Sequence, residues 1–155
     1  VGSEMCIRDR AEPVVSAMSG TAIHVGPSGA GNIAKLVNNM LVAAHLITTG
    51  EAMRLSEAAG LPAEAVLKVV NAATGRSAIS EVMYPRWVLS GAFDSGFSAG
   101  LMRKDVGLAA DLAQATGTRL PLSAEVARIW AETRGRIADA DDFTRMADYR
   151  TEREY

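Results

Sequence analysis

The stretch that decides the fold runs from Gly26 to Met40 and reads GPSGAGNIAKLVNNM. Its opening, Gly26-Pro27-Ser28-Gly29-Ala30-Gly31, has the composition of a tight turn. From Asn32 onward Ile33, Leu36, Val37, Met40, Leu41, Ala44 and Ile47 recur at helical spacing, which gathers apolar side chains on one side of a helix. Continued to about Ala59, the pattern predicts a helix on the order of 40 Å long, apolar around much of its circumference, as a central buried helix would be. Gly60 is placed to cap it, and Pro62 to open a second helix that runs to about Ala72.

Upstream of the turn, Ala11–Gly20 reads as a short amphipathic helix end, and Ala22, Ile23 and Val25 as a short strand arriving at Gly26. Strand, glycine-rich turn and helix in that order are the grammar of an α/β unit, yet a lone strand cannot make a stable sheet. The segment therefore reads as the remnant of a domain whose earlier part is missing. Residues 1–10, VGSEMCIRDR, show no period, no apolar core of a signal peptide and no cleavage site. They are expected to be a non-native or disordered lead-in, and Cys6 goes with them.

Downstream, a polar turn around Thr74, Gly75 and Ser77 leads to a short helical piece expected to break at Pro85, then to a loop, Gly91–Gly96. A further helix ends near Gly117, and Pro121 opens another whose apolar face is Val126, Ile129 and Trp130. A last short helix carries Phe143, Met146 and Tyr149 behind Asp141 as a candidate N-cap. The expected fold is mostly all-α, a bundle of five to seven helices around one long buried helix, preceded by the remnant strand. Leu101, Leu108 and Leu112 are expected to be core, and alanines to do much of the close packing.

Composition narrows the function. The chain has 155 residues, 48% of them apolar, with 16 basic and 18 acidic side chains, enough for one compact domain and without the positive charge that a phosphate backbone or anionic membrane demands. Nucleic acid and membrane are therefore not expected as partners. The longest apolar stretch, Ile33–Ile47, contains Lys35, Asn38, Asn39 and His45, and falls short of a membrane span of about 18 apolar residues. A single cysteine excludes a disulfide within the chain and suits a reducing, cytoplasmic setting. His24 and His45 have no spacing that suggests zinc.

Within the predicted long helix, Lys35, Asn38 and Asn39 stand where a buried helix would carry apolar residues, and an unpaired ammonium is costly to bury. Separations of three and four put them on one face near the helix N-terminus, a setting that suits a carboxylate or another anion. An equally simple reading has Lys35 reaching solvent while the asparagines pair with a neighbouring helix. The order GxxGxG differs from the GxGxxG of a dinucleotide fingerprint.

Two segments carry a more specific likeness. Gly26-x-x-Gly29-x-Gly31-x-x-x-Lys35-x-x-Asn38-Asn39 resembles the catalytic segment of the β-hydroxyacid dehydrogenases, the 3-hydroxyisobutyrate dehydrogenase family. Phe97-x-x-x-Leu101-x-x-Lys104-Asp105-x-x-Leu108-Ala109 resembles that family's second helical motif, and the likeness extends from about Ala11 to Tyr149. It implies an oxidoreductase using NAD or NADP on a short β-hydroxyacid, with an N-terminal Rossmann domain, a long interdomain helix and a helical C-terminal domain, assembled as a homo-oligomer. On that basis residues 11–28 would be the tail of the Rossmann domain, 29–150 the helical substrate and dimerisation domain, and 151–155 a tail.

The resemblance further implies Lys35 as general acid/base, Asn39 and Gly31 as substrate-binding residues and Lys104 as a cofactor-binding residue. Asp105 matches by motif without an implied role. A lysine can take a hydroxyl proton when burial or nearby cations favour its neutral form, and an asparagine one turn along can hold it or the substrate oxygen without adding charge. Imine reductases commonly replace such a lysine, and 6-phosphogluconate dehydrogenases, which share a similar C-terminal domain, show His-Asn where this chain has Asn38-Asn39; neither fits as well. The family's cofactor-phosphate glycine motif and first substrate loop are absent, so the chain alone is expected to be inactive. The alternative is a non-catalytic helical oligomerisation or interaction domain with the same periodicities.

Other residues have simpler explanations. His45 reads as a core or interface histidine, Arg76 and Ser77 as solvated turn residues rather than contacts to a substrate carboxylate, and Asp139, Asp141 and Asp142 as helix caps rather than a cation site.

Overall fold

The computed structural model describes residues 4–149, and the side chains of residues 10–149. The lead-in expected at residues 1–3, the tail expected at 151–155 and the Cys6 side chain lie outside them. The chain divides into two compact units, Val1–Val37 and Asn38–Tyr155.

The first unit holds helix α1, Glu4–Met18, and the beginning of helix α2, Ala30–Ala58. The lead-in expected to be irregular is helical from Glu4. Residues 21–25, expected to be a strand, have no ladder; Ile23 and Val25 are exposed. An extended segment becomes a strand only when a neighbour takes its backbone hydrogen bonds, and among the described residues none does. The glycine turn does start a helix. Gly29, at φ 91°, bends the chain in a region that suits glycine, and its carbonyl accepts from the Asn32 and Ile33 amides at 3.1 and 3.3 Å.

The regular elements described in the second unit are all helices. It contains the rest of α2, α3 (Ala63–Ala72), a π-helix (Ile79–Leu89), α4 (Ala99–Ala115), α5 (Pro121–Glu132) and two 3-10 turns, Thr133–Gly135 and Phe143–Asp148. Helix α2 ends as its sequence predicts. With Gly60 at φ 83°, the Leu61 amide reaches back to the Ser56 carbonyl at 2.8 Å, the glycine-dependent closure that satisfies a last-turn carbonyl.

Pro85 does not break its helix. In a π-helix the amide of residue 85 would bond the carbonyl of residue 80, and proline has no amide to give. Asn71 Nδ2 donates to that Ser80 carbonyl instead, at 3.0 Å, so α3 repairs the gap. Ser77 and Ser80 cap the same helix reciprocally, each amide donating to the other's hydroxyl at 2.9 and 3.2 Å.

The core gathers Leu46 and Met53 of α2, Ile79 of the π-helix, Met102 of α4, Trp130 of α5 and Met146, all 2% exposed or less. Small residues set the closest approaches. A Cβ on Gly50 would come within 2.2 Å of the Ala147 carbonyl oxygen, which also accepts from Arg54 Nη1 at 2.6 Å. Val126 and Trp130 are core as expected, but Leu101 and Leu108 are 47% and 45% exposed, on the outer side of α4. The inner side is the one that carries Met102, Val106 and Ala109, and helical periodicity alone does not say which of two apolar stripes meets the core. The cap of the last turn is Asp142, not Asp141, its carboxylate accepting from the Thr144 amide at 2.9 Å.

Candidate active site

Helix α2 supplies the residues singled out in the sequence. Gly31 lies in its first turn, exposed, with open space where a Cβ would stand. Lys35 is exposed and belongs to the first unit. The buried setting expected of the long helix is not found along this stretch, which also exposes Ile33 and Val37. In the second unit, Asn38 is exposed and Asn39 half-buried. Asn38 Nδ2 donates to Asn39 Oδ1 at 3.2 Å.

Helix α4 starts at a strong cap, the Ser98 hydroxyl accepting from the Leu101 amide. Its start is pinned further by the Ala99 and Gly100 amides, which donate to the Asp141 and Asp139 carbonyls at 2.8 and 3.0 Å. Along the helix so fixed, Asp105 lies on the inner face, 2% exposed, and Lys104 on the outer one. Asp105 Oδ2 accepts from Asn39 Nδ2 at 2.7 Å, a charge-assisted bond between residues 66 positions apart. Asn39, one of the four residues named in advance, makes a long-range bond, and its partner is the motif residue to which no role was assigned. A signal for Asp105 was present: an acid spaced three and four from Met102 and Ala109 stands on an apolar face, where an ionisable group needs a partner.

A recess of about 210 Å³ lies between α2, α4 and α5, walled by Met40, Ala109, Ala113, Leu120 and Ala124. The remaining residues weighed in the sequence have structural duties or none. His45 is exposed, as is Arg76, while Ser77 caps the π-helix.

Each acid of the 139–142 cluster is held by this chain. Asp139 takes two bonds from the buried Arg103 guanidinium, at 2.8 and 3.2 Å, which keep its carboxyl below the ordinary value. Asp141 accepts from the Ala138 amide. Burial pushes the Asp142 carboxyl up, but hydrogen bonds from Ser95 and Thr144 outweigh it and leave the group below its ordinary value. No group of three or more metal-ligating side chains occurs among the described residues, and no described helix is long and apolar enough to cross a membrane.

Residues 29–150 match the model of a family described as "NAD-binding of NADP-dependent 3-hydroxyisobutyrate dehydrogenase". A relative from Mycobacterium tuberculosis, named probable 3-hydroxyisobutyrate dehydrogenase, is 39% identical over 146 residues, covering 90% of this chain and 49% of its own length. An NAD-dependent L-serine dehydrogenase of Pseudomonas aeruginosa is 38% identical over 129 residues, 79% of this chain and 43% of the relative. The solved structure of the M. tuberculosis 3-hydroxyisobutyrate dehydrogenase with L-serine superposes with a TM-score of 0.82 at 38% identity, covering 95% of this chain and 52% of that one. The chain thus spans about half the length of the curated relatives it matches.

Proposed function

The chain belongs to the 3-hydroxyisobutyrate dehydrogenase family, and from that premise we propose that it is the helical part of an oxidoreductase acting on a short β-hydroxyacid with NAD or NADP. The observation that carries the reading is the held carboxamide: Asn39, one turn beyond Lys35 along α2, is bound to a buried carboxylate of α4, next in sequence to Lys104. The available groups fit a nicotinamide nucleotide and an acid substrate, for they comprise two exposed ammonium groups and a fixed carboxamide. Bound there, the nicotinamide supplies the acceptor or donor of hydride.

In oxidation, Lys35 in its amine form accepts the substrate's hydroxyl proton at Nζ; in reduction, its ammonium returns a proton to the same oxygen. Asn39 holds the lysine or the reacting oxygen without adding charge. Gly31, with no side chain in the first turn of α2, leaves space beside the substrate. Lys104 contributes a cation to the cofactor.

The whole enzyme would act in the cytoplasm, with a Rossmann domain ahead of this part and as a homo-oligomer. The exposed apolar residues Leu101 and Leu108 on α4 support an association face. The same feature favours the second reading, a non-catalytic oligomerisation module.

The test compares the full-length gene product with its Lys35→Ala variant in NAD(P)-linked oxidation of a panel of short β-hydroxyacids. A loss of about 10²- to 10⁴-fold in turnover with cofactor binding retained supports acid/base catalysis by Lys35. An unchanged rate, or a folded wild type that oxidises nothing, favours the module.

A further inference from the structure

We propose that Asp105 is a positioning residue that decides which end of the Asn39 carboxamide is offered to the reaction. This rests on the reading of Lys35 as acid/base. The Asn39 atom that stands 2.7 Å from Asp105 Oδ2 is the amide nitrogen, which donates to that oxygen. The amide is planar, and its oxygen is thereby fixed at the other end. A second contact agrees, because Asn38 Nδ2 donates to that oxygen at 3.2 Å.

The orientation has a chemical consequence. The Asn39 oxygen has two lone pairs and can accept from Asn38 and from a second donor, whether an N–H of a lysine amine or ammonium or the O–H of an alcohol. Turned the other way, the group would aim N–H donors at an ammonium, a repulsive arrangement. Asp105 is suited to prevent that turn. It is 2% exposed, so water competes little for its oxygens, and it stands on a helix anchored at its start by Ser98 and by the backbone of residues 139 and 141. Asn39, only half-buried and on another helix, would otherwise be able to flip.

The experiment uses the full-length gene product with Asp105→Asn, an isostere able to accept or donate and hence unable to select one orientation. Turnover is expected to fall about 10- to 100-fold while KM for the cofactor changes less than twofold. Because Asp105 acts through Asn39, adding Asp105→Asn to an Asn39→Ala background is expected to change turnover less than twofold further. Losses that multiply in the double variant, or a single variant with full turnover, overturn the proposal.

Lys35→Ala, run beside them, separates the two claims. Full activity in that variant removes the catalytic reading and this inference with it, whereas a collapsed Lys35→Ala beside a fully active Asp105→Asn removes only the inference. A further measurement needs no variant: in the wild-type protein the Asn39 side-chain amide protons should exchange with solvent markedly more slowly than those of exposed Asn38. Equal exchange at the two side chains contradicts the fixed orientation.

Discussion

The two ends of helix α2 have the same apolar periodicity and opposite fates. Beyond Asn39, Ala43 and Leu46 are fully buried and Met53 is 1% exposed; before it, Ile33 and Val37 are 49% and 46% exposed. Periodicity fixes which side of a helix is apolar, while burial requires a neighbour to meet it. Lys35 belongs to the exposed end, where a side chain can be exchanged at little cost in stability. Asn39, between these two stretches, is bonded to α4.

The sharpest way to break this contrast is to compare function with stability at Lys35. Lys35→Ala is expected to lower turnover of the full-length protein by about 10²- to 10⁴-fold. It should shift unfolding free energy by no more than about 0.5 kcal/mol, as at other exposed sites. A variant that unfolds would place Lys35 in the structural half after all; denaturant titration alongside kinetics decides.

Next in size are paired truncations of leucine. Leu46→Ala removes a fully buried side chain and is expected to cost about 2–5 kcal/mol, whereas Leu41→Ala, at 49% exposure, should cost under about 1 kcal/mol. Similar midpoint shifts in chemical denaturation would erase the difference between the buried and the exposed face of the packed end.

Gly50→Ala probes the tightness of the packed end. The new methyl meets a backbone carbonyl at 2.2 Å, which cannot rotate aside, so α2 or the turn carrying Ala147 has to move. A loss of about 1–3 kcal/mol is expected, as for other overpacked sites, and thermal unfolding measures it.

The smallest effect concerns Asp142, which caps the same turn. Asp142→Ala should cost about 1 kcal/mol at neutral pH. Its carboxyl titrates below the ordinary value in the folded protein, so this stabilisation is present above the unfolded carboxylate value of about 3.9 and is lost as pH falls through the folded one. The gap between wild type and variant should therefore begin to narrow as pH falls below about 4 and close beneath the folded value. A gap that widens on acidification contradicts the assignment.

What the sequence made legible follows from what is local. Gly60 with Pro62, and Pro121 behind Gly117, mark boundaries because backbone conformation at those residues is settled within a few positions. The continuation of the π-helix through Pro85 was not legible, since the repair comes from Asn71 on another helix. Nor was the exposure of Leu101 and Leu108, which depends on which α4 face meets its neighbours. At the candidate site the motif pointed to Asn39 and Asp105 separately, and only the fold joins them across 66 positions. The strand failed for the converse reason: its local signal was sound, and no pairing partner is present among the described residues.

Arg103 brings time into the picture. Its guanidinium, 7% exposed, donates to the Thr133 hydroxyl, the Ile137 carbonyl and Asp139, all 30 to 36 positions later in the chain. At a synthesis rate of roughly 5–20 residues per second, Arg103 leaves the ribosome's catalytic centre about 2–7 seconds before Asp139 does. Thr133, Ile137 and Asp139 are made in turn by the end of that interval, and until they are in place the guanidinium lacks the partners that let it be buried on the inner side of α4. The order of synthesis thus makes residues 133–139 the latch on this side of α4.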